Sequence, residues 1–238
     1  IYGPMKHRGI KFLLGILLLP IAVALSMSFG RVVMILAQAP DRLPLLPAFA
    51  GIAGIVIWLL IWLFLPPLTR TYILGHELTH ALWTVLFGGK AFGLRVNHRG
   101  GSVRVTKSNV WITLAPYFFP LYTFVVAAVW LIMHWLWPPI QPYAPIFVFW
   151  IGLTWSFHLT FTVRYLRYNQ PDIREHGRLF SYTLIYVLNL LTVGAALVAI
   201  STWTYREALA DVVHNLRLLA AAAHTFYEWA RTQWPTPS

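Results

Sequence analysis

The chain is organised around one stretch, Tyr72-Ile73-Leu74-Gly75-His76-Glu77-Leu78-Thr79-His80-Ala81. On a helix, His76 and His80 are four residues apart and lie on one face, where both imidazoles reach a single Zn²⁺ at about 2.0–2.1 Å. Glu77 lies beside them, where its carboxylate can take a proton from a water on the metal. This His-Glu-x-x-His pattern is typical of zinc hydrolases. We therefore predict one zinc ion held by His76 and His80, with Glu77 as the catalytic general base.

Apolar sequence surrounds this stretch on both sides, from Ile52 to Leu65 and from Leu82 to Phe87. The whole chain is 58% hydrophobic and 11% charged, whereas a soluble domain has about 25% charged residues. This composition predicts an integral membrane protein. An ionisable side chain at membrane depth costs at least about 2.5–3.5 kcal/mol, so such a residue marks a functional site by default. A buried ion pair accounts for one such residue, but it does not easily account for three ionisable residues within five positions, His76, Glu77 and His80.

The charge and the cysteine content narrow the possible partners and ligands. The net charge is +11, but the basic residues lie between apolar segments. This pattern favours anionic lipid headgroups at basic loops as partners, and we expect no binding of nucleic acid. The chain has no cysteine, which excludes disulfides and thiolate metal sites. Any metal must therefore be held by histidine and carboxylate side chains.

Six apolar segments predict an all-α polytopic protein with about six transmembrane helices. They cover approximately residues 12–37, 48–65, 68–87, 110–137, 144–163 and 179–203. In the fourth segment, Pro116 and Pro120 predict that the span itself starts near Leu121. We expect residues 1–4 to be a tag remnant, 5–65 to form two helices and 66–203 to form the core with the metal site. Residues 204–238 are predicted to form an amphipathic tail at the membrane surface.

Residues 88–109 interrupt the apolar segments and predict a small β-hairpin after the metal-binding helix. Apolar and polar residues alternate through Leu94–Asn97 and again through Ser102–Thr106, and Arg99-Gly100-Gly101 between them is a turn signal. A hairpin of this kind has a strand edge with unpaired backbone groups. The backbone at Val103 and Val105 can therefore bind an unwound substrate segment by strand addition. The alternative is a basic headgroup anchor, because the hairpin carries five cations and no acid: Lys90, Arg95, Arg99, Arg104 and Lys107.

A catalytic zinc has a third protein ligand and one open position. The candidates outside the early loop and the tail are Asp172, Glu175, His176 and His158. Asp172 follows Pro171, which fixes the backbone and can direct the carboxylate away from the helix, although an aspartate there can equally cap the helix. His158 lies among apolar residues, where a hydrogen-bonded core histidine is the more common role. These residues alone leave the third ligand open.

Three stretches of the chain, taken in order, resemble the site-2 protease family of intramembrane zinc metalloproteases. Gly75–Ala81 matches the first zinc motif of that family, Leu114-Ala115-Pro116 with Pro120 looks like its small-Gly-Pro segment, and Asn169–Ile173 is similar to its Asn-Pro-x-x-Leu-Asp-Gly motif. The similarity covers roughly residues 66–190. It implies that Asp172 is the third zinc ligand, that Asn169 is an accessory residue and that the hairpin binds substrate. It also implies a location in the bacterial cytoplasmic (inner) membrane.

These observations together predict an intramembrane zinc metalloprotease that hydrolyses a peptide bond of a membrane protein or membrane-bound peptide. Two alternatives stay open. One is a membrane metallohydrolase resembling the prenyl-protein-processing zinc proteases, in which Glu175 would be the downstream ligand. The other is a non-proteolytic membrane protein that binds metal structurally or transports it, with His158 as a fourth ligand. The positive-inside rule places the hairpin on the cytoplasmic side.

Overall fold

The computed structural model describes residues 8–38, 45–97 and 100–233. The expected tag remnant at residues 1–4 and Arg99 of the predicted turn lie outside these ranges. The described residues form nine α-helices, a short 3₁₀ helix at Pro138–Tyr143 and a two-stranded sheet. The helices are α1 (Arg8–Gln38), α2 (Leu45–Phe64), α3 (Thr69–Leu86), α4 (Val110–Phe118), α5 (Leu121–Leu136), α6 (Ala144–Leu166), α7 (Pro171–His176), α8 (Arg178–Ile200) and α9 (Tyr205–Gln233). The strands are β1 (Ala91–Asn97) and β2 (Gly100–Val105).

Four segments are long and apolar enough to cross a membrane: α1, α2, the 3₁₀ helix together with α6, and α8. The bent pair α4–α5 raises the number to five if it is one broken span. This agrees with the predicted all-α polytopic membrane fold, but it does not confirm six spans. The helix α3 is not among these candidates, and it carries Arg70 and the polar residues of the central stretch.

The fourth apolar segment divides into two helices at a proline. Helix α4 ends at Phe118, Phe119 is extended with φ −106° and ψ 98°, and α5 begins after Pro120. The two helices are bent by 78°. Every residue of α4 from Ile112 to Phe118 is buried, so this short helix is a core element. The start of α5 at Leu121 is the position that the prolines predict.

The helices α2 and α6 pack side by side in the same direction through glycines. A Cβ on Gly54 would overlap the carbonyl oxygen of Phe149, and one on Gly152 would overlap the carbonyl oxygen of Gly51. Small residues let membrane helices approach closely in this way. Further along both helices, Trp58 packs edge-to-face on Phe157 at 4.9 Å between ring centroids. An aromatic core follows, and it reaches α3 through Tyr72, which stacks on Phe161 at 4.8 Å.

The two strands pair antiparallel and confirm the predicted hairpin. The register shifts between Phe92 and Arg95, where Gly93 has φ +67° and allows a bulge. The backbone N–H of Thr106, just after β2, donates to the carbonyl of Lys90. Because backbone groups along a strand point alternately to its two sides, the N–H groups of Val105 and Val103 point away from β1. On this outer edge of β2, the backbone N–H of Val103 meets the carboxylate of Glu77.

The contacts divide the chain into two compact units, of which one contains α2 to α7 with the hairpin and the other contains α1, α8 and α9. In the second unit, Arg31 of α1 pairs with the buried Asp211 of α9. Asn215, one turn further along α9, donates to the hydroxyl of Ser28 at 2.9 Å. Thr204 and Glu207 form a reciprocal capping box at the start of α9. The predicted tail is thus a helix held to α1 by polar contacts, and its place at a membrane surface stays a prediction.

Candidate metal centre

Helix α3 places the two histidines of the central stretch on one face. The Nε2 atoms of His76 and His80 are 3.2 Å apart, and their rings are edge-to-face. Immediately before His76, Gly75 allows α5 to approach, because a Cβ there would lie 2.8 Å from Cε2 of Tyr122. The hydroxyl of Tyr122 also donates to the carbonyl of Thr71 at 2.7 Å. The ligand face of α3 is thus held in position by its neighbours as well as by helix geometry.

Asp172 joins the two histidines from α7. Its Oδ2 atom lies 3.5 Å from Nε2 of His76 and 3.7 Å from Nε2 of His80. A tetrahedral zinc with bonds of about 2.0–2.1 Å separates its ligand atoms by about 3.3–3.4 Å. The three separations found here, 3.2, 3.5 and 3.7 Å, bracket that value. The described residues contain one group of histidine and acidic side chains that can hold a metal ion, and it is this one.

Two of the three ligands are oriented by further hydrogen bonds from α4. Nδ1 of His80 donates to the carbonyl of Ile112 at 2.9 Å, which leaves Nε2 free for a metal. Ile112 is held in turn by Asn109, whose side chain accepts from the Ile112 backbone N–H. The hydroxyl of Tyr117 donates to Oδ2 of Asp172 at 3.0 Å. Such outer partners fix the tautomer and direction of metal ligands.

The charge state of Asp172 also suits a metal ligand. Burial by itself would raise the pKa of this carboxyl group, because it disfavours the ionised form. The adjacent imidazoles of His76 and His80 outweigh that effect and hold the pKa well below its usual range. The group is therefore ionised at neutral pH, as coordination requires.

His76 is oriented differently from His80. Its Nδ1 atom is buried and has no hydrogen-bond partner among the described residues, and the same is true of Nε2 of His158. Both residues line one small cavity of about 20 Å³. A polar cavity of this size has room for about one water molecule. A water there can accept from Nδ1 of His76 and donate to His158, which would complete the orientation of the second histidine.

Glu77 and the ligands border a larger cavity of about 340 Å³. Glu77 is buried, with 8% of its surface exposed. The hairpin forms another wall of this cavity, where Val103 and Val105 lie. The structure therefore brings the predicted base, the predicted ligands and the predicted substrate strand to one cavity.

The remaining predicted residues have different positions. Glu175 lines the same cavity, but its side chain is 44% exposed and its carboxylate is 3.9 Å from Nε2 of His176. Neither Glu175 nor His158 belongs to the ligand group. Asn169 is exposed, and the neighbouring Gln170 lines the cavity in its place.

Two contacts of the site were not predicted from the sequence. They are the hydroxyl of Tyr117 on Asp172 and the carbonyl of Ile112 on His80. The sequence around Tyr117 is apolar and aromatic from Leu114 to Phe119. A tyrosine in such a run gives no signal that distinguishes a ligand partner from a core residue.

Comparison with protein-family models, with curated proteins and with solved structures finds no match to this chain. The functional assignment therefore rests on the geometry of the site.

Proposed function

We propose that this protein is an intramembrane zinc metalloprotease, which hydrolyses a peptide bond of a membrane protein or membrane-bound peptide. One observation carries the proposal: the ligand group His76–His80–Asp172 and the buried carboxylate of Glu77 border the same cavity of about 340 Å³. A cavity of this size has room for a short extended peptide segment beside the ligands.

The number of ligands favours a catalytic site over a structural one. Structural zinc sites are closed by four protein ligands, whereas catalytic sites have three and an open position. The group here has three members, and His158, the obvious fourth, lies outside it. Glu77 is adjacent in sequence to the ligand His76 and reaches the cavity without being part of the group. A buried acid beside a three-ligand site is the arrangement that metal-assisted hydrolysis needs.

Glu77 is the residue that moves protons in this proposal. Zinc, when bound, acts as a Lewis acid that polarises a carbonyl and lowers the pKa of a water to about 7. The Glu77 carboxylate takes a proton from the attacking water and then gives it to the leaving amine as the C–N bond breaks. His76, His80 and Asp172 hold the ion, and Tyr117 and Ile112 hold the ligands.

The hairpin is proposed to bind the substrate. A membrane helix satisfies its own backbone hydrogen bonds, so its peptide bonds become accessible only after local unwinding. The outer edge of β2 carries the backbone groups of Val103 and Val105, and both residues line the cavity. The backbone N–H of Val103 meets the Glu77 carboxylate at this edge. Strand addition to that edge would place an unwound segment beside Glu77. Substrates with glycine or proline near the scissile bond would unwind at lower cost.

The proposal includes a membrane placement. We infer that α3 is a sixth element at membrane depth, because Gly75 packs against α5, Tyr72 packs against α6 and His80 is hydrogen-bonded to α4. The site would then lie within the bacterial cytoplasmic membrane, with the basic hairpin on the cytoplasmic side.

The test is hydrolysis by the purified protein in proteoliposomes that contain a panel of single-span peptides with glycine or proline at different depths. Wild type is expected to cleave a subset of the panel, and Glu77→Gln is expected to cleave none. The matched control is Glu175→Gln, which removes the carboxylate of the other glutamate in the cavity and should retain cleavage. Loss of activity in Glu175→Gln with full activity in Glu77→Gln would instead favour the reading in which Glu175 belongs to the metallohydrolase site.

A further inference from the structure

A second cavity of about 710 Å³ lies between α2 and α6, and the metal ligands take no part in it. Its polar lining residues are Thr160, Arg164, Arg167 and Tyr168. Trp62, Leu159 and Val163 form the apolar part of its lining. No acidic residue lines this cavity among the described parts of the chain.

The two arginines give the cavity a site for an anion. The guanidinium carbon of Arg164 lies 5.5 Å from the centroid of the Trp62 ring, which positions the side chain by a cation–π contact. Arg167 is exposed one turn beyond it. Neither arginine forms an ion pair with an acidic residue in the part of the chain that the structure describes. Guanidinium groups match phosphate geometry, and two such groups on one wall suit a phosphodiester.

The rest of the lining fits an apolar chain. Val163 is 45% exposed, and it lies with Leu159 and Trp62 on the cavity wall. An aliphatic and aromatic wall next to two cations favours an amphiphilic ligand over a simple inorganic anion, because such a ligand covers both surfaces.

The position of the cavity matches the depth of lipid headgroups. The helices α2 and α6 run in the same direction, so their last residues, Phe64 and Leu166, lie toward the same membrane surface. Trp62 and the exposed Tyr168 are near these ends, as expected for an interfacial aromatic belt. Basic pockets between membrane helices at this depth bind anionic headgroups.

We propose that this cavity binds one anionic glycerophospholipid, with its phosphate on Arg164 and Arg167 and one acyl chain along Leu159, Val163 and Trp62. The site is independent of the proposed hydrolysis, since none of these residues belongs to the metal group or to its cavity.

The experiment is native mass spectrometry of the full chain in detergent with added phosphatidylglycerol or phosphatidylcholine of identical acyl chains. Wild type is expected to retain one phosphatidylglycerol in preference to phosphatidylcholine. The double variant Arg164→Gln/Arg167→Gln should lose that preference by about tenfold or more, because two charge-assisted contacts are removed. Val163→Trp, which fills the apolar wall and leaves both charges, should also reduce lipid retention.

The matched control is Arg95→Gln/Arg104→Gln, which removes the same charge from the hairpin and should keep the preference. An unchanged elution volume in size-exclusion chromatography and an unchanged thermal unfolding midpoint in each variant show that the protein is folded. Equal losses in the hairpin control and the cavity variant would overturn the site in favour of general charge attraction. Binding of inorganic phosphate alone that displaces phosphatidylglycerol would also overturn it, because the ligand would then be the free anion.

Discussion

The backbone of Gly101 lies directly against the side chain of Glu77. A Cβ at position 101 would be 2.7 Å from Cγ and 2.9 Å from Oε1 of this glutamate, and 2.5 Å from Cγ2 of Ile73. No side chain fits there without displacing α3 or the carboxylate. The neighbouring Gly100 has open space around the same position. The two adjacent glycines of β2 therefore differ in packing, since only Gly101 is in close contact with α3.

Gly101→Ala is expected to abolish or strongly reduce peptide hydrolysis while zinc stays bound. The added methyl group has to move the Glu77 carboxylate or separate the hairpin from α3, and either change misplaces the base relative to the substrate. The measurement is cleavage in proteoliposomes together with the zinc content of the same sample. Gly100→Ala is the control and should behave like wild type. Equal activities of the two variants would contradict the role given to this contact.

Proline at Val103 or Val105 is expected to abolish cleavage while zinc is retained. Both N–H groups point away from β1. Proline at Val105 removes a hydrogen bond that an added strand would use, and proline at Val103 removes the N–H that meets the Glu77 carboxylate. Val103→Ala and Val105→Ala keep the N–H groups and should reduce cleavage only mildly. The cleavage rates of the two proline variants and the two alanine variants test whether the backbone N–H groups bind substrate.

The charge variant Arg95→Gln/Arg104→Gln separates the two roles of the hairpin. If the hairpin binds substrate, these neutral replacements should matter less than either proline. Tolerance of both prolines together with a large loss from the charge replacements would show that the hairpin is a headgroup anchor.

Tyr117→Phe is expected to weaken zinc binding by about tenfold, within the range of about 10- to 100-fold for partners of metal ligands. The variant removes the 3.0 Å hydrogen bond to Asp172 and leaves the ring in place. Competition with a chelator measures the affinity. Tyr186→Phe is the matched control, because its hydroxyl is hydrogen-bonded to Ser26 and to no element of the metal site. A similar loss in both variants would show a general effect on packing.

The apolar runs of the sequence predict most of the helices, because the hydrophobicity that favours a membrane helix is a local property of each segment. Proline at position 120 also predicts the start of α5 at Leu121. The burial of α4 inside the protein is not predictable in this way. Its nine residues are as apolar as those of a membrane span, and only tertiary packing places them in the protein core. The number of spans is not predictable for the same reason: α3 combines apolar and ionisable residues, and hydropathy alone does not place it.

In the metal site, too, locally determined features are predictable from the sequence and features that depend on tertiary packing are not. His76, Glu77 and His80 are recognisable because helix geometry fixes their spacing locally. Asp172 lies far along the chain, and local spacing left it open against Glu175 and His158 until the fold brought it to 3.5 Å from His76. Tyr117 and the Ile112 carbonyl carry no sequence signal, because an ordinary tyrosine and a backbone group become ligand partners only through the packing of α4.

His158→Ala is expected to leave zinc bound at stoichiometric concentration but to weaken its affinity by about tenfold. Nε2 of His158 shares a cavity of about 20 Å³ with Nδ1 of His76, and a bridging water there would lose one of its partners. His158→Gln keeps a polar group at that point and should recover part of the affinity. His134→Ala, a histidine outside this cavity, is the control. Complete loss of zinc in His158→Ala would make His158 a ligand, and no change at all would show that His76 is held without it.

Metal content of the purified protein tests the central claim most directly, by elemental analysis of wild type, Asp172→Asn, Glu175→Gln and Glu77→Gln prepared in parallel. The geometry predicts one zinc per chain in wild type, Glu77→Gln and Glu175→Gln, and a large loss in Asp172→Asn. Full zinc retention in Asp172→Asn, or a wild-type protein that binds no zinc when the ion is supplied, would contradict the His76–His80–Asp172 centre.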